Sequence, residues 1–249
     1  MIVAVEGVDG AGKNTLVTAV EEELLAREVP VARVAFPRYG NSVHADLADA
    51  ALHGRMGDLT GSVHGMATLF ALDRAEVADE VAELSADGYV VLLDRFTASN
   101  AAYSAARLAE DVDGPTVEWV RMLENGSLGV PVPDLQVLVD VEVDEAARRV
   151  RSRAADDPDR APDAYEADAA LQQRTAEAYR ALAAAAWGSP WEVVTNPPSA
   201  DREAVEARAR DLADVIVARR RAAEDTDAHL DADAGAGTDD ANAGPDADD

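Results

Sequence analysis

The chain has 249 residues and a formal net charge of −27, from 49 acidic residues against 22 lysine and arginine residues. A surface of this sign repels phosphate backbones, so the composition disfavours nucleic-acid binding, and the absence of cysteine excludes disulfides and thiol-based metal sites. No charged-then-apolar leader opens the chain and no run of about 18 apolar residues occurs, which predicts a cytoplasmic protein that makes no membrane contact.

The first predicted elements are a buried strand, Ile2–Val5, and a helix, Asn14–Arg27, joined by a glycine-rich turn. The turn nearly matches the pattern G-x-x-x-x-G-K-[ST], in which backbone N–H groups, a helix N-terminus and a lysine surround phosphate oxygens. We predict a nucleotide-phosphate loop here, with an ordinary glycine-rich turn as the alternative. The candidate ATP-binding residues of this loop are Gly7, Val8, Asp9, Gly10, Ala11, Gly12, Lys13, Asn14 and Thr15.

The loop departs from the pattern at Asn14, which stands where a Ser or Thr hydroxyl normally ligates magnesium. Thr15 comes one residue late and points elsewhere on the helix. The metal must then depend on carboxylates, waters and the oxygens of the nucleotide, which suits Mg²⁺ because this ion keeps much of its water. Asp9 is the candidate carboxylate, although an Asp-Gly pair is also a common turn former.

The middle of the chain alternates strands and helices. Its third predicted strand is a nearly continuous apolar run, typical of a central parallel strand, and Asp94 and Arg95 follow at its end. Open α/β sheets bind ligands at this carboxyl edge, so Arg95 is a candidate phosphate ligand, with a surface ion pair as the alternative. The predicted elements are strand Val31–Phe36, helices Asn41–His53 and Val63–Asp87, strand Tyr89–Asp94, and helices Ser99–Glu110 and Thr116–Glu124.

The second half of the chain continues the alternation. The arginines after the fourth strand form a candidate lid, because phosphoryl transfer spreads negative charge that closing arginines stabilise, although Asp156 and Asp157 interrupt this basic stretch. The lid arginines predicted to bind ATP are Arg149, Arg153 and Arg160. The predicted elements are strand Leu135–Val141, a helix from Asp144 to about Arg153, helix Ala167–Ala186, strand Trp191–Thr195 and helix Asp201–Arg219.

The alternation predicts an α/β fold: a P-loop NTPase three-layer sandwich, with a five-stranded parallel sheet flanked by helices, and a lid. Residues 1–219 form one predicted domain. Residues 220–249 carry many acidic residues and almost no large apolar side chain. Such a segment buries too little surface to offset the entropy of ordering, so we predict an acidic disordered tail.

Five segments occur in the order and at the spacing found in thymidylate kinases, and the chain resembles the actinobacterial branch of that family over about residues 1–215. The segments are EGVDGAGKNT, AFPRYG, ATLFALDRA, LLDRFTASNAAYSAA and AYEADAALQQRTAEAY. The resemblance implies ATP and dTMP as substrates, Mg²⁺ as the cofactor and a homodimer. It also implies that Lys13, Asp9, Arg95 and Arg153 are the catalytic residues.

The resemblance further implies an acceptor site. In this site Phe70 and Arg74, which are four residues apart on one helical face, bind the base. Asn100 contacts the pyrimidine edge, and Tyr103 lies against the 2′ carbon of the sugar. Glu166 shares magnesium with Asp9 through water. The residues that the resemblance assigns to dTMP are Asp9, Phe36, Tyr39, Phe70, Arg74, Arg95, Asn100, Tyr103 and Tyr165. Without it, Phe70 is better explained as a core residue and Arg74 as a surface residue, and an exposed helix acid is the alternative for Glu166.

Three other functions compete with this interpretation. A kinase for another monophosphate would keep the fold and change the base pocket. A GTP-binding switch protein would need an N-K-x-D signature, which is impossible because Lys13 is the only lysine. A catalytically idle nucleotide-binding partner would explain Asn14 as decay, but the intact Asp94-Arg95 pair and the lid arginines argue against it.

Overall fold

The computed structural model describes residues 1–156, 163–197 and 202–236. In this part of the chain five parallel strands form one sheet, which confirms the predicted fold class. The five strands are β1 (Ile2–Glu6), β2 (Val31–Ala35), β3 (Val90–Asp94), β4 (Leu135–Asp140) and β5 (Trp191–Thr195).

Helices connect the strands and cover both faces of the sheet. A single 3₁₀ turn, Leu59–Gly61, precedes the third helix. Among the described residues, no helix is both long enough and apolar enough to span a membrane. The helices are α1 (Lys13–Ala26), α2 (Val43–Leu52), α3 (Val63–Ala75), α4 (Ala78–Ala86), α5 (Thr97–Leu108), α6 (Pro115–Arg121), α7 (Val143–Asp156), α8 (Ala169–Ala184) and α9 (Arg202–Ala236).

The strand order β2-β3-β1-β4-β5 determines where a ligand can bind. The chain leaves β1 toward one edge of the sheet, returns through β3 and then crosses to β4 on the other side. The order therefore reverses at β1, and its carboxyl end is the switch point at which open α/β sheets form a crevice. The glycine-rich loop leaves the sheet at this point.

Side chains alternate along the central strands between two cores, because successive residues of a strand point to opposite faces. Ile2 and Ala4 pack in a small core with Val81 of α4. Val3 and Val5 pack in a larger core, which also receives apolar side chains of α1, α5, α8 and α9. The sheet is thus covered on both faces, as the apolar run of β3 predicted.

Two predicted helices differ from the structure in their course. The predicted helix Val63–Asp87 is two helices. Next to the break between α3 and α4, Arg38 donates from Nη2 to the Asp73 carbonyl and to the Glu76 carboxylate, 2.9 and 2.5 Å away. The predicted helix Thr116–Glu124 is α-helical only to Arg121 and continues as a π-helix, Met122–Ser127.

The last helix is longer than the sequence predicts, since α9 continues past Arg219 to Ala236. Its extension is rich in alanine and includes an ion pair one turn apart, Arg220 to Glu224 at 2.9 Å, and both features favour helix. The described helix thus covers residues 220–236, and residues 237–249 of the predicted tail lie outside the described part of the chain, so the acidic disordered tail stays a prediction.

Candidate active site

The loop after β1 has the backbone shape of a phosphate cradle. Gly10 and Gly12 have φ values of 80° and 96°, in the left-handed region that favours glycine. A Cβ atom on Gly10 would lie 2.2 Å from the Ala146 carbonyl oxygen, so α7 can approach only a glycine at this position. Gly12 is the residue before α1, which aims the N-terminus of that helix at the space enclosed by the loop.

Lys13 lies at the centre of this cradle. Its Nζ atom donates to the carbonyl oxygens of Gly7 and Val8, each 3.0 Å away, and its side chain is buried. Burial lowers the pKa of Lys13 to about 8; the nearby charge of Arg95 adds to this effect and that of Asp9 opposes it. The ammonium group is therefore held in place before any ligand binds, although its burial disfavours the charged form.

The outer side of the loop is held by α7 and by the segment after β5. Arg149 donates from Nη1 to the carbonyl oxygens of Gly10 and Ala11 at 3.5 and 3.4 Å, and Glu145 accepts from Arg149 Nε at 2.7 Å. Asn196 Nδ2 donates to the Ala11 carbonyl at 2.6 Å. These contacts attach the predicted lid helix directly to the phosphate loop.

A cavity of about 880 Å³ lies beside the loop. Its size and its cationic lining suit a nucleotide with several phosphates. Of the three lid arginines predicted to bind ATP, Arg149 and Arg153 line this cavity, whereas Arg160 is outside the described residues. The charged and polar residues that line it include Asp9, Lys13, Asn14, Thr15, Asp94, Arg95, Arg148, Arg149, Arg153, Asn196 and Arg208.

The side-chain carbonyl of Asn14 faces Arg33. Arg33 on β2 donates from Nη2 to Asn14 Oδ1 and from Nη1 to Thr18 Oγ1, the latter at 3.0 Å. Because a guanidinium group only donates, the atom of Asn14 that faces it must be the oxygen. The Nδ2 group remains for the cavity, so residue 14 offers hydrogen-bond donors and no ligand for a cation.

Arg95 lies between this cavity and a second one. Its Nη2 atom donates to Asp9 Oδ1 at 2.6 Å, and its Nη1 atom donates to Ser99 Oγ and to the Tyr179 hydroxyl, each at 3.3 Å. The Tyr103 hydroxyl donates to the other oxygen of Asp9 at 3.0 Å. Burial alone would raise the pKa of Asp9, but the charges of Arg95 and Lys13 outweigh it and hold the pKa well below its usual range.

A buried carboxylate, Glu6, binds two of the residues that contact Arg95. Glu6 at the end of β1 is fully buried and accepts from Phe96 N at 2.8 Å, Ser99 Oγ at 2.6 Å and the Tyr179 hydroxyl at 3.2 Å. Burial raises the pKa of Glu6, and the hydrogen bonds from Ser99 and Phe96, together with the charge of Arg95, oppose the rise. Since two of its three partners also contact Arg95, Glu6 helps to orient that guanidinium group.

The second cavity has a volume of about 410 Å³ and lies on the other side of Arg95, between α2, α3 and α5. It brings together every residue that the sequence analysis assigned to the acceptor site, which are Asp9, Phe36, Tyr39, Phe70, Arg74, Arg95, Asn100, Tyr103 and Tyr165, with Glu166 beside them. The Tyr103 and Tyr165 rings stack with centroids 5.8 Å apart and planes inclined by 18°. Stacked aromatic rings of this kind make a rigid wall for a sugar or base.

Four carboxylates line this cavity: Asp9, Asp49, Asp163 and Glu166. Burial raises the pKa values of Asp163 and Glu166, and the charge of Asp9 raises both further. The described residues contain no group of three or more side chains close enough to hold a metal by themselves. Mg²⁺ characteristically takes one or two carboxylates together with substrate phosphates, so the donor set fits this ion only with a phosphorylated ligand present.

Sequence reasoning missed several residues that the structure places at the site. They are Glu6, Arg33, Arg107, Glu124, Asp163, Tyr179 and Asn196. Two of them left a signal: Glu6 is an acid in an apolar strand, and Glu124 follows Val117 and Val120 at helical spacing on a buried face. The others are recognised only when distant segments meet.

Comparison with known proteins identifies the family. The sequence pattern of a family described as thymidylate kinase matches residues 5–201. The chain belongs to the thymidylate kinase family. It is therefore a dTMP kinase, a phosphotransferase that uses ATP to convert dTMP to dTDP.

Individual relatives support the assignment. Thymidylate kinase of Mycobacterium tuberculosis is 54% identical over 194 residues, which cover 78% of this chain and 91% of the relative, consistent with the actinobacterial branch. The enzyme of Cupriavidus taiwanensis is 34% identical over 182 residues, or 72% of this chain and 82% of the relative. A solved thymidylate kinase from Candida albicans shares the fold, with a TM-score of 0.67, 18% identity, and coverage of 88% of this chain and 92% of that one.

The lowered pKa of Lys13 predicts a pH dependence for the kinase. The ammonium form attracts phosphate and the neutral amine does not, so kcat/KM for ATP should be flat below pH about 8 and fall as the pH rises above that value. Steady-state rates at low ATP concentration measure this, because kcat/KM reports the free enzyme. The Lys13→Arg variant is the control, since its guanidinium group stays charged. A profile that is flat to pH 10.5, the ordinary lysine value, would contradict the prediction.

Proposed function

We propose that the two cavities bind the two substrates, with ATP at the glycine-rich loop and dTMP between α2, α3 and α5. One observation supports this most strongly: Asp9, Phe36 and Arg95 line both cavities. A donor phosphate beside Lys13 and an acceptor phosphate beside Arg95 would therefore meet at one shared wall. Such a meeting point is what direct transfer between two nucleotides requires.

On the donor side, the loop amides, the N-terminus of α1 and Lys13 hold the ATP phosphates. Arg149 and Arg153 extend from α7 over the same cavity and stabilise negative charge as it spreads over the transferring group. Asn14 Nδ2 adds a donor where the generic pattern has a hydroxyl. Arg160 is assigned to the same role from the family resemblance alone.

On the acceptor side, Arg95 holds the dTMP phosphate, and Asp9 and Tyr39 help to position it. Phe36 and Phe70 enclose the base, and Arg74 and Asn100 contact its edge. The acceptor phosphate is already an anion, so the reaction needs no strong general base. Catalysis then consists of positioning and charge neutralisation, because Lys13, Arg95 and Arg153 surround the group in transfer.

We also propose that Asp9 and Glu166 hold Mg²⁺ on the acceptor side, the second through water. When bound, this ion neutralises charge on the phosphate oxygens. The proposal is supported by the position of both carboxylates on one cavity and by the commitment of the Asn14 carbonyl to Arg33.

Three further properties complete the proposal: a cytoplasmic location, residues 1–219 as one folded domain, and a homodimer. The dimer would place apolar residues around α2 in an interface, since Val43, the first residue of this helix, and Met56 after its end are 70% and 38% exposed. Light scattering coupled to size-exclusion chromatography measures the oligomeric state, and a monomer at micromolar concentration would contradict the dimer.

The reaction is tested by ADP production from magnesium–ATP with dTMP, dUMP, dCMP, AMP and GMP as acceptors. We expect turnover to be strongest with dTMP. Preference for another monophosphate would leave the kinase fold in place and overturn the assignment of the base pocket. Absence of turnover with every acceptor, despite measurable ATP binding, would favour the idle nucleotide-binding partner.

Replacing Tyr103 tests the assignment of the sugar site. Tyr103→Ala removes a ring that is stacked on Tyr165, so we expect the ratio of kcat/KM for the ribose form of TMP to that for dTMP to rise about tenfold. Tyr103→Phe is the matched control, because it removes only the hydroxyl bound to Asp9 and keeps the wall. An unchanged ratio in Tyr103→Ala would show that this ring does not exclude the 2′ hydroxyl.

A further inference from the structure

Glu124 is a carboxylate completely buried beneath the base pocket, contributed by the π-helical turn after α6. It accepts from Arg74 Nε at 2.5 Å, from Arg74 Nη2 at 2.7 Å and from Asn100 Nδ2 at 2.7 Å. Arg74 and Asn100 are themselves only 3% and 5% exposed. One carboxylate therefore holds both polar residues on the floor of the second cavity.

The hydrogen bonds determine which atoms of Asn100 face the ligand. Its Nδ2 group is enclosed by two acceptors, Glu124 Oε1 and the Ala67 carbonyl oxygen, the latter 2.9 Å away. A carboxylate paired with a guanidinium group only accepts, so the nitrogen of Asn100 must lie on that side and Oδ1 on the other. Asn100 Oδ1 receives no donor from the described residues.

Arg74 is oriented by the same contact. Two of its nitrogens are bound to Glu124, and Nη1 has no acceptor among the described residues. Within that part of the chain, only Gln136 Oε1 and Thr175 Oγ1 are sealed from solvent without a partner. The free atoms of Arg74 and Asn100 are accordingly accessible, and both residues line the second cavity. The pocket thus presents one donor beside one acceptor.

This pair matches one class of pyrimidine. Thymine and uracil carry an acceptor oxygen at C4 and an N–H at N3, whereas cytosine carries an amino donor at C4 and an acceptor at N3. Bound to Arg74 Nη1 and Asn100 Oδ1, a 4-oxo pyrimidine makes both hydrogen bonds and a 4-amino pyrimidine makes neither. We propose that Glu124 is the positioning residue that makes the kinase select 4-oxo over 4-amino pyrimidines. This inference rests on the proposed assignment of this cavity to dTMP.

The test replaces Glu124 with glutamine and compares kcat/KM for dTMP with that for 5-methyl-dCMP, which differs only at C4 and N3 of the base. An amide at position 124 places an N–H group against the donors of Arg74 or Asn100. The side-chain amide of Asn100 is then no longer held in one orientation and can rotate to exchange Oδ1 and Nδ2. We expect the dTMP to 5-methyl-dCMP ratio to fall about tenfold to a hundredfold, mainly through a higher KM for dTMP. Glu118→Gln is the matched control, because Glu118 lies on α6 and is exposed and paired with Arg121.

Two results would overturn the inference. The first is an unchanged ratio of kcat/KM for dTMP to that for 5-methyl-dCMP in Glu124→Gln, when melting temperature and circular dichroism show that this variant is well folded. The second needs no variant and so applies even if Glu124→Gln does not fold: turnover of 5-methyl-dCMP by the parent enzyme within about tenfold of dTMP. With dTMP turnover intact, the first result contradicts the role of Glu124, and the second contradicts the selection of 4-oxo pyrimidines that Glu124 is proposed to support. Failure of the parent enzyme to phosphorylate dTMP would instead overturn the proposed function.

Discussion

Removing the charge of Lys13 is expected to lower kcat by about a thousandfold, the upper range for loss of one preorganised donor at a site of developing charge. Lys13 is the only lysine in the chain, and its Nζ is held 3.0 Å from two loop carbonyl oxygens. The other cations near the loop are arginines that extend from outside it. Lys13→Met tests this directly, because methionine keeps most of the volume and none of the charge.

The same variant separates a catalytic role from a structural one. The lowered pKa of Lys13 means that the folded state disfavours the ammonium form, and burial is the main cause. Between pH about 8 and 10.5 the unfolded chain holds this proton and the folded chain does not, so stability of the parent enzyme should rise with pH there. At neutral pH Lys13→Met should therefore be at least as stable as the parent. Retention of more than about a tenth of the activity would contradict the role of the charge.

Replacing Arg95 is expected to lower kcat/KM for dTMP by about a thousandfold, equivalent to roughly 4 kcal/mol. Its guanidinium group is held by Asp9 at 2.6 Å and by Ser99 and Tyr179 at 3.3 Å, so it is fixed between the two cavities before a ligand binds. Arg180→Ala is the matched control, because Arg180 pairs with Asp140 at 2.9 Å and lines neither cavity. It should change kcat/KM less than about twofold.

The backbone at Arg95 offers an internal check. Its φ is 65°, a left-handed conformation that glycine adopts without strain and alanine does not. Arg95→Gly and Arg95→Ala both lose the guanidinium group and should show the same loss in kcat/KM for dTMP. The free energy of unfolding of the glycine variant should be about 1 kcal/mol higher than that of the alanine variant. Near-parental kcat/KM for dTMP in either variant would show that the acceptor phosphate is bound elsewhere.

The sequence by itself determined the parts of this protein that depend on short stretches of chain. A phosphate loop is built from consecutive residues between one strand and one helix, so the order of Gly10, Gly12 and Lys13 was enough to predict it. The alternation of strands and helices predicted the parallel sheet, because period and length distinguish the elements locally. Arg95 was found for the same reason, since it directly follows a buried strand.

The tertiary structure decided which side chains meet and how they are oriented. Glu124 reaches Arg74 across 50 residues and Glu6 reaches Ser99 across 93, distances in sequence that no local pattern covers. The contacts beside the break between α3 and α4 likewise come from Arg38, which lies in the loop after β2. Local periodicity records which face of a helix is buried, but the orientations of Arg74, Asn100 and Asn14 are set by hydrogen bonds between segments that only the fold brings together.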